Sequence, residues 1–148
     1  MPPINRYWTL SSILLATAGA TLVIAGLYFI LVRPPLLQED LRYMALPAAQ
    51  FDAVKPQLES WLAHVFQVMG GYVLATGVLT VTLAATSFRD HHWGAAVGAL
   101  IAGAASIGWM AVVNFVINSD FKWVLLGMAL LWASSLVSFW IEKRAGRV

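Results

Sequence analysis

The groups in this chain best suited to chemistry inside a membrane are one imidazole, two carboxamides and a set of aromatic rings. His64 is the single ionisable residue in the apolar run Ser60–Phe88. Trp61, His64, Gln67 and Gly71 follow one another at spacings of three and four, which on a helix puts them on one face. Trp109, Asn114 and Asn118 lie in the next apolar run, at the same depth if the two helices run in opposite senses. Tyr72 follows the Gly70-Gly71 pair, whose missing side chains leave room beside it. Upstream, the polar residues Glu39, Asp40, Arg42 and Tyr43 can close over these groups from outside.

Polar side chains within a bilayer are expensive, so such a gathering marks the place where a site is expected. A pocket of this kind suits an amphipathic ligand, whether lipid, sterol or quinone. His64, Gln67 and Asn114 would hold its head, and its tail would lie between helices. In the simpler reading His64 donates to a backbone carbonyl or to Asn114 and only ties two helices together. Catalysis is a further step. An imidazole titrates near neutral pH, so His64 with Glu59, Glu39 or Asp40 could exchange protons with a lipid-like substrate and modify or isomerise it.

Other chemistries find little support. The chain has no cysteine, hence no thiolate ligand or nucleophile. His91 and His92 are adjacent, so on a helix they diverge by about 100°, and they fall on the opposite side of the membrane from His64. They read as loop residues at the headgroups, and neither a metal nor any other cofactor is expected. There is no glycine-rich phosphate loop, no Ser–His–Asp spacing and no basic run long enough for nucleic acid. The apolar runs contain no Asp, Glu, Lys or Arg. That argues against a proton-coupled multidrug transporter, which needs a membrane-embedded carboxylate, and against an ion channel.

These groups need helices to position them, and the composition supplies helices of one kind. Of 148 residues 60% are hydrophobic and 11% charged, against about a quarter charged in soluble domains. Four runs, about 7–32, 60–88, 93–119 and 123–141, can each cross about 30 Å of hydrocarbon at about 1.5 Å per residue. The first lasts too long for a signal peptide's apolar region. The expected fold is therefore a single all-α membrane domain, an antiparallel four-helix transmembrane bundle. Small residues recur along each span, with Gly19 and Gly26 in the first, Gly70, Gly77 and Ala84 in the second, and Gly94, Gly98 and Ala102 in the third. Each stripe lets a neighbouring backbone come close. Ser134 and Ser138 of the fourth can hydrogen-bond across to a neighbour, and short loops predict that sequential spans are neighbours.

Between the first two spans lies the segment 33–59. Pro34 and Pro35 end the first span, because they lack amide donors and restrict the residue before them. Leu37, Leu41 and Met44 then repeat at helical spacing, with Glu39, Asp40, Arg42 and Tyr43 on the other side. This predicts a short amphipathic helix on the membrane surface, ending near Pro47. A second turn is expected over 48–54, and Pro56 suits the first position of the next long helix.

Five basic residues (Arg6, Arg89, Lys143, Arg144, Arg147) fall on the side of the termini and four (Arg33, Arg42, Lys55, Lys122) on the other. The second side also carries five acids. By the positive-inside rule both termini are cytoplasmic and the amphipathic helix extracytoplasmic, in a plasma membrane of bacterial type. Five of the seven tryptophans stand near span ends as interfacial anchors. Trp109 and Trp132 lie deeper, as pocket walls or lipid-facing bulk. Three functional classes remain: a protein acting by contact, as accessory subunit of a membrane complex or as a homo-oligomer; a lipid- or quinone-binding protein; and a lipid-modifying enzyme centred on His64. Membrane lipids are partners in all three.

Overall fold

A computed structural model describes residues 8–45 and 47–146. All its regular elements are helical: α1 (Leu10–Leu31), α2 (Gln38–Met44), α3 (Ala48–Ala85), α4 (Trp93–Gly103), α5 (Trp109–Val116) and α6 (Lys122–Arg144), with a π-helical turn, Ala104–Gly108, joining α4 to α5. Four helices are long and apolar enough to cross a membrane: Leu10–Leu31, Gln50–Ala85, Trp93–Val116 and Lys122–Arg144. This is a membrane helical protein. Arg6, Tyr7 and Arg147 lie outside the described residues.

The pair α1 and α3 is built on glycine. A Cβ on Gly26 would stand 2.8 Å from the Gly70 carbonyl oxygen, and one on Gly77 2.8 Å from that of Gly19. Backbone thus lies directly on backbone along both stripes, the close approach that small residues allow where lipid offers no hydrophobic drive. Ala84 completes the line and is fully buried. The stripe in the third span behaves differently. Gly94 and Gly98 face open space, while Ala95, Ala96, Ala99 and Gly103 are the buried residues of α4.

What α4 meets is α6. Trp132, 3% exposed, lies where a Cβ on Gly103 would be, so no larger residue fits there. Its indole N–H donates to the Ala99 carbonyl at 2.9 Å, satisfying the one polar atom that such a buried ring carries. The π turn follows directly after this insertion, and a wide turn of this kind arises where a helix accommodates an extra residue.

Sequential order does not set adjacency throughout. α1 packs on α3 and on α6, and α6 on α4 and α5, whereas α3 meets α4 only slightly and shares no packed interface with α5. The short 86–92 connection therefore does not make its two helices neighbours, contrary to the expectation from its length. Phe88 explains this, because its ring turns inward, fully buried, and packs 4.8 Å from that of Phe139 in α6. With Leu15, Ala18 and Leu22 of α1 these rings form the core.

Two further expectations change. α3 begins at Ala48 and runs through Pro56 without a break, so Pro56 is an interior residue, not the first of a helix. The cost of its missing amide is moderated because residues 52–57 are exposed and water can reach the freed carbonyl. Ser134 donates to Leu130 of its own helix at 2.8 Å, so it does not bridge to a neighbour.

Candidate functional site

The residues that the sequence groups around His64 are not brought together. His64 is exposed on α3, and its Nδ1 lies 2.7 Å from the Ser60 carbonyl oxygen, one turn earlier. Asn114 donates to Met110 in the same way, at 2.9 Å. Each polar group is thus satisfied by its own helix, and the two helices concerned, α3 and α5, do not pack on each other. Trp61, Tyr72 and Trp109 point outward and Gln67 is exposed. Pro56, Gln57, Ser60, Trp61 and His64 line a shallow open depression of about 510 Å³ along one helix.

The polar groups that do converge sit at the two ends of the helices, each set around a carboxylate. At one end stands Glu142, in the last turn of α6. Its Oε1 accepts the Ser11 amide at 3.1 Å and its Oε2 the Ser11 hydroxyl at 2.6 Å. Ser11 belongs to the first turn of α1, where amides lack helical partners and the helix dipole is positive, so a carboxylate is favoured there. Thr9 and Ser12 cap the same turn reciprocally, with Thr9 N to Ser12 Oγ at 3.1 Å and Ser12 N to Thr9 Oγ1 at 3.3 Å.

His91 comes to the same carboxylate from the α3–α4 loop. Its Nε2 is 3.1 Å from Glu142 Oε2 and its Nδ1 3.0 Å from the Arg89 carbonyl oxygen. The ring stacks on Phe139, centroids 4.8 Å apart, and the residue is 5% exposed. Lys143 donates to the His91 carbonyl at 3.0 Å. His91 also has a φ of +54°, uncommon for a residue with a side chain, and these contacts hold it there. His91 is therefore a buried clamp residue, not a solvated one at the headgroups. His92 beside it is exposed, as a loop residue at the headgroups would be.

At the other end stands Glu39 of α2. Glu39 is buried, although the helical pattern put it on the polar side of α2. Both its oxygens accept from the Ser119 hydroxyl at 3.0 Å, and Oε2 accepts the Asp120 amide at 2.7 Å. Its partners lie just before the start of α6, the positive end of that helix. Around it, Asp40 accepts the Leu37 amide at 2.9 Å and pairs with Arg33 at 3.3 Å. The Arg33 guanidinium lies 3.5 Å from the centre of the Phe66 ring, so one cation joins α1, α2 and α3. Arg42 and Asp120 pair at 2.8 Å on the surface, and that hydrogen bond raises the already high pKa of the guanidinium. Tyr43 is exposed.

The chemistry open to these clusters is limited by their order. Nucleophilic catalysis by serine needs the imidazole between hydroxyl and carboxylate. Here the carboxylate lies in the middle, with the Ser11 hydroxyl donating to Glu142 and not to His91. Among the described residues no group of three or more His, Asp or Glu side chains is placed to hold a metal ion. Both clusters fasten helix ends.

Sequence patterns did not expose the Glu142 cluster. Its partners lie 131 and 51 residues away along the chain, and only Thr9-Leu-Ser-Ser12, a capping sequence, is a local signal. No family model, no curated protein and no solved structure matches this chain.

Proposed function

We propose that the chain is an antiparallel four-helix transmembrane bundle that acts by contact, as an accessory or assembly subunit of a membrane complex or by self-association. In this reading α2 is a short amphipathic helix on the extracytoplasmic surface and both termini are cytoplasmic. The observation that carries the proposal is the face of α4 bearing Gly94 and Gly98. Gly19, Gly26, Gly70, Gly77 and Gly103 all lie against another helix, whereas Gly94 and Gly98, like the isolated Gly71 and Gly127, meet nothing, and of these only Gly94 and Gly98 form a pair one turn apart. Val97 and Ile101 flank them and are exposed, so a further helix can approach closely there. The two clustered carboxylates, Glu39 buried and Glu142 partly so, favour the same reading, being occupied with helix ends.

Gly98→Leu tests it. A side chain at this position enters open space, so the variant's own thermal unfolding is expected to stay unchanged. Its association, read by cross-linking in the native membrane and by native mass spectrometry, is expected to fall at least tenfold. Unaltered association would remove the proposal.

A second reading, a lipid- or quinone-binding protein or a lipid-modifying enzyme, draws on the depression beside His64 and Trp61. With Nδ1 directed at Ser60, the imidazole leaves Nε2 free for a headgroup or carbonyl oxygen. The same spectra distinguish the readings, since a stoichiometric small molecule without a partner chain favours the second.

A further inference from the structure

The cations at the two ends of the helices differ in what they bind. At the Glu39 end, Arg33 pairs with Asp40, Arg42 with Asp120, and Lys122 donates to the Asn118 carboxamide. Only Lys55 there has no such polar partner among the described residues, and its amine stands 5.9 Å from the Phe51 ring. At the Glu142 end the balance is reversed. Arg89 makes no side-chain hydrogen bond among the described residues. Its Nε is buried without a hydrogen bond and makes only a loose ion pair, 3.8 Å, with the half-exposed Asp90, while about a fifth of the side chain stays exposed. Arg144 lies on Trp140, 3.2 Å from the ring centre, and bonds no acceptor among the described residues. Lys143 spends one donor on the His91 carbonyl and stands 4.8 Å from the centre of Trp93. Glu142 makes no hydrogen bond to these cations among the described residues, because its oxygens are turned inward to Ser11 and His91.

Trp93 and Trp140 are exposed and sit at the ends of membrane-long helices, the level at which indole rings anchor among headgroups. They hold Lys143 and Arg144 at that depth. An arginine with unsatisfied donors matches the two oxygens of a phosphodiester, and neighbouring cations favour a headgroup of net negative charge over a zwitterionic one. We propose that the Glu142 end is a binding site for acidic glycerophospholipid. Arg89 grips the phosphate, and Lys143 and Arg144 supply the selectivity for charge. This needs only the membrane-spanning character of the chain and stands apart from the contact proposal.

The test is native mass spectrometry of the full chain titrated with dioleoylphosphatidylglycerol against dioleoylphosphatidylcholine. The wild type is expected to favour the acidic lipid, and Arg144→Gln, at an exposed site, to lower that preference about fivefold, the effect of one interfacial charge. Arg89→Gln is expected to lower it further, and Arg89→Lys, which keeps the charge without the fork, to restore it in part. Arg42→Gln, at the other end, should leave it unchanged. Equal binding of the two lipids by the wild type, or equal losses in Arg144→Gln and Arg42→Gln, would overturn the proposal. So would a co-purifying acidic protein that Arg89→Gln releases while lipid preference stays constant.

Discussion

Glu142 and Glu39 perform the same task at opposite ends of the protein, and they perform it with different reach. Each places a carboxylate where backbone amides at a helix start lack partners. Glu142 belongs to a membrane-long helix and ties together α1, α6 and the α3–α4 loop. Glu39 belongs to a seven-residue helix and ties only that helix to the loop before α6. The first fastens parts of the core, where Phe88, His91 and Phe139 stack. The second fastens a cover. The same chemistry thus has global consequences at one end and local ones at the other.

The comparison breaks if the two ends respond alike to substitution. Glu142→Ala leaves the Ser11 amide, the Ser11 hydroxyl and His91 Nε2 without their acceptor. It is expected to cost about 3 kcal/mol of global stability, measured by denaturant titration in lipid nanodiscs. Glu39→Ala removes an acceptor from Ser119 and Asp120, but α2 can lift without opening the core. A smaller loss of about 1–2 kcal/mol is expected, visible in hydrogen exchange as opening confined to 37–45 and 117–121. A global transition shifted as far by Glu39→Ala as by Glu142→Ala would show that α2 is part of the core. Smallest of all, Arg42→Gln breaks a surface ion pair whose side chains are both more than half exposed. No change in the unfolding midpoint is expected, since solvent screens such pairs.

Much of the fold was legible because its signals are local. Charge-free runs of membrane length mark the four helices, and the glycines of α1 and α3, repeated every seven residues, meet as their spacing suggested. The site was not legible in the same way. His64 and Asn114 looked like partners because both are polar at one depth, but each finds a carbonyl one turn back on its own helix. That contact is available to any helical side chain of suitable length and leaves no mark in the spacing. Equally, Gly94 and Gly98, four residues apart, make a small-residue stripe as the glycines of α1 and α3 do, yet they face outward. A stripe states that a helix can be approached and not which helix approaches it.

The sequence alone determined the helical class, the presence of four helices of membrane length and the preference for a membrane. Each follows from composition and from backbone hydrogen bonds that must close within a segment in hydrocarbon. Tertiary structure decided which helices are neighbours, that Trp132 fills the place beside Gly103, and that Glu142 and Glu39 are turned inward while Arg89 and Arg144 make no side-chain hydrogen bond among the described residues. Those outcomes depend on groups dozens of residues apart meeting at helix ends. Only the packed chain specifies which carboxylate reaches which amide.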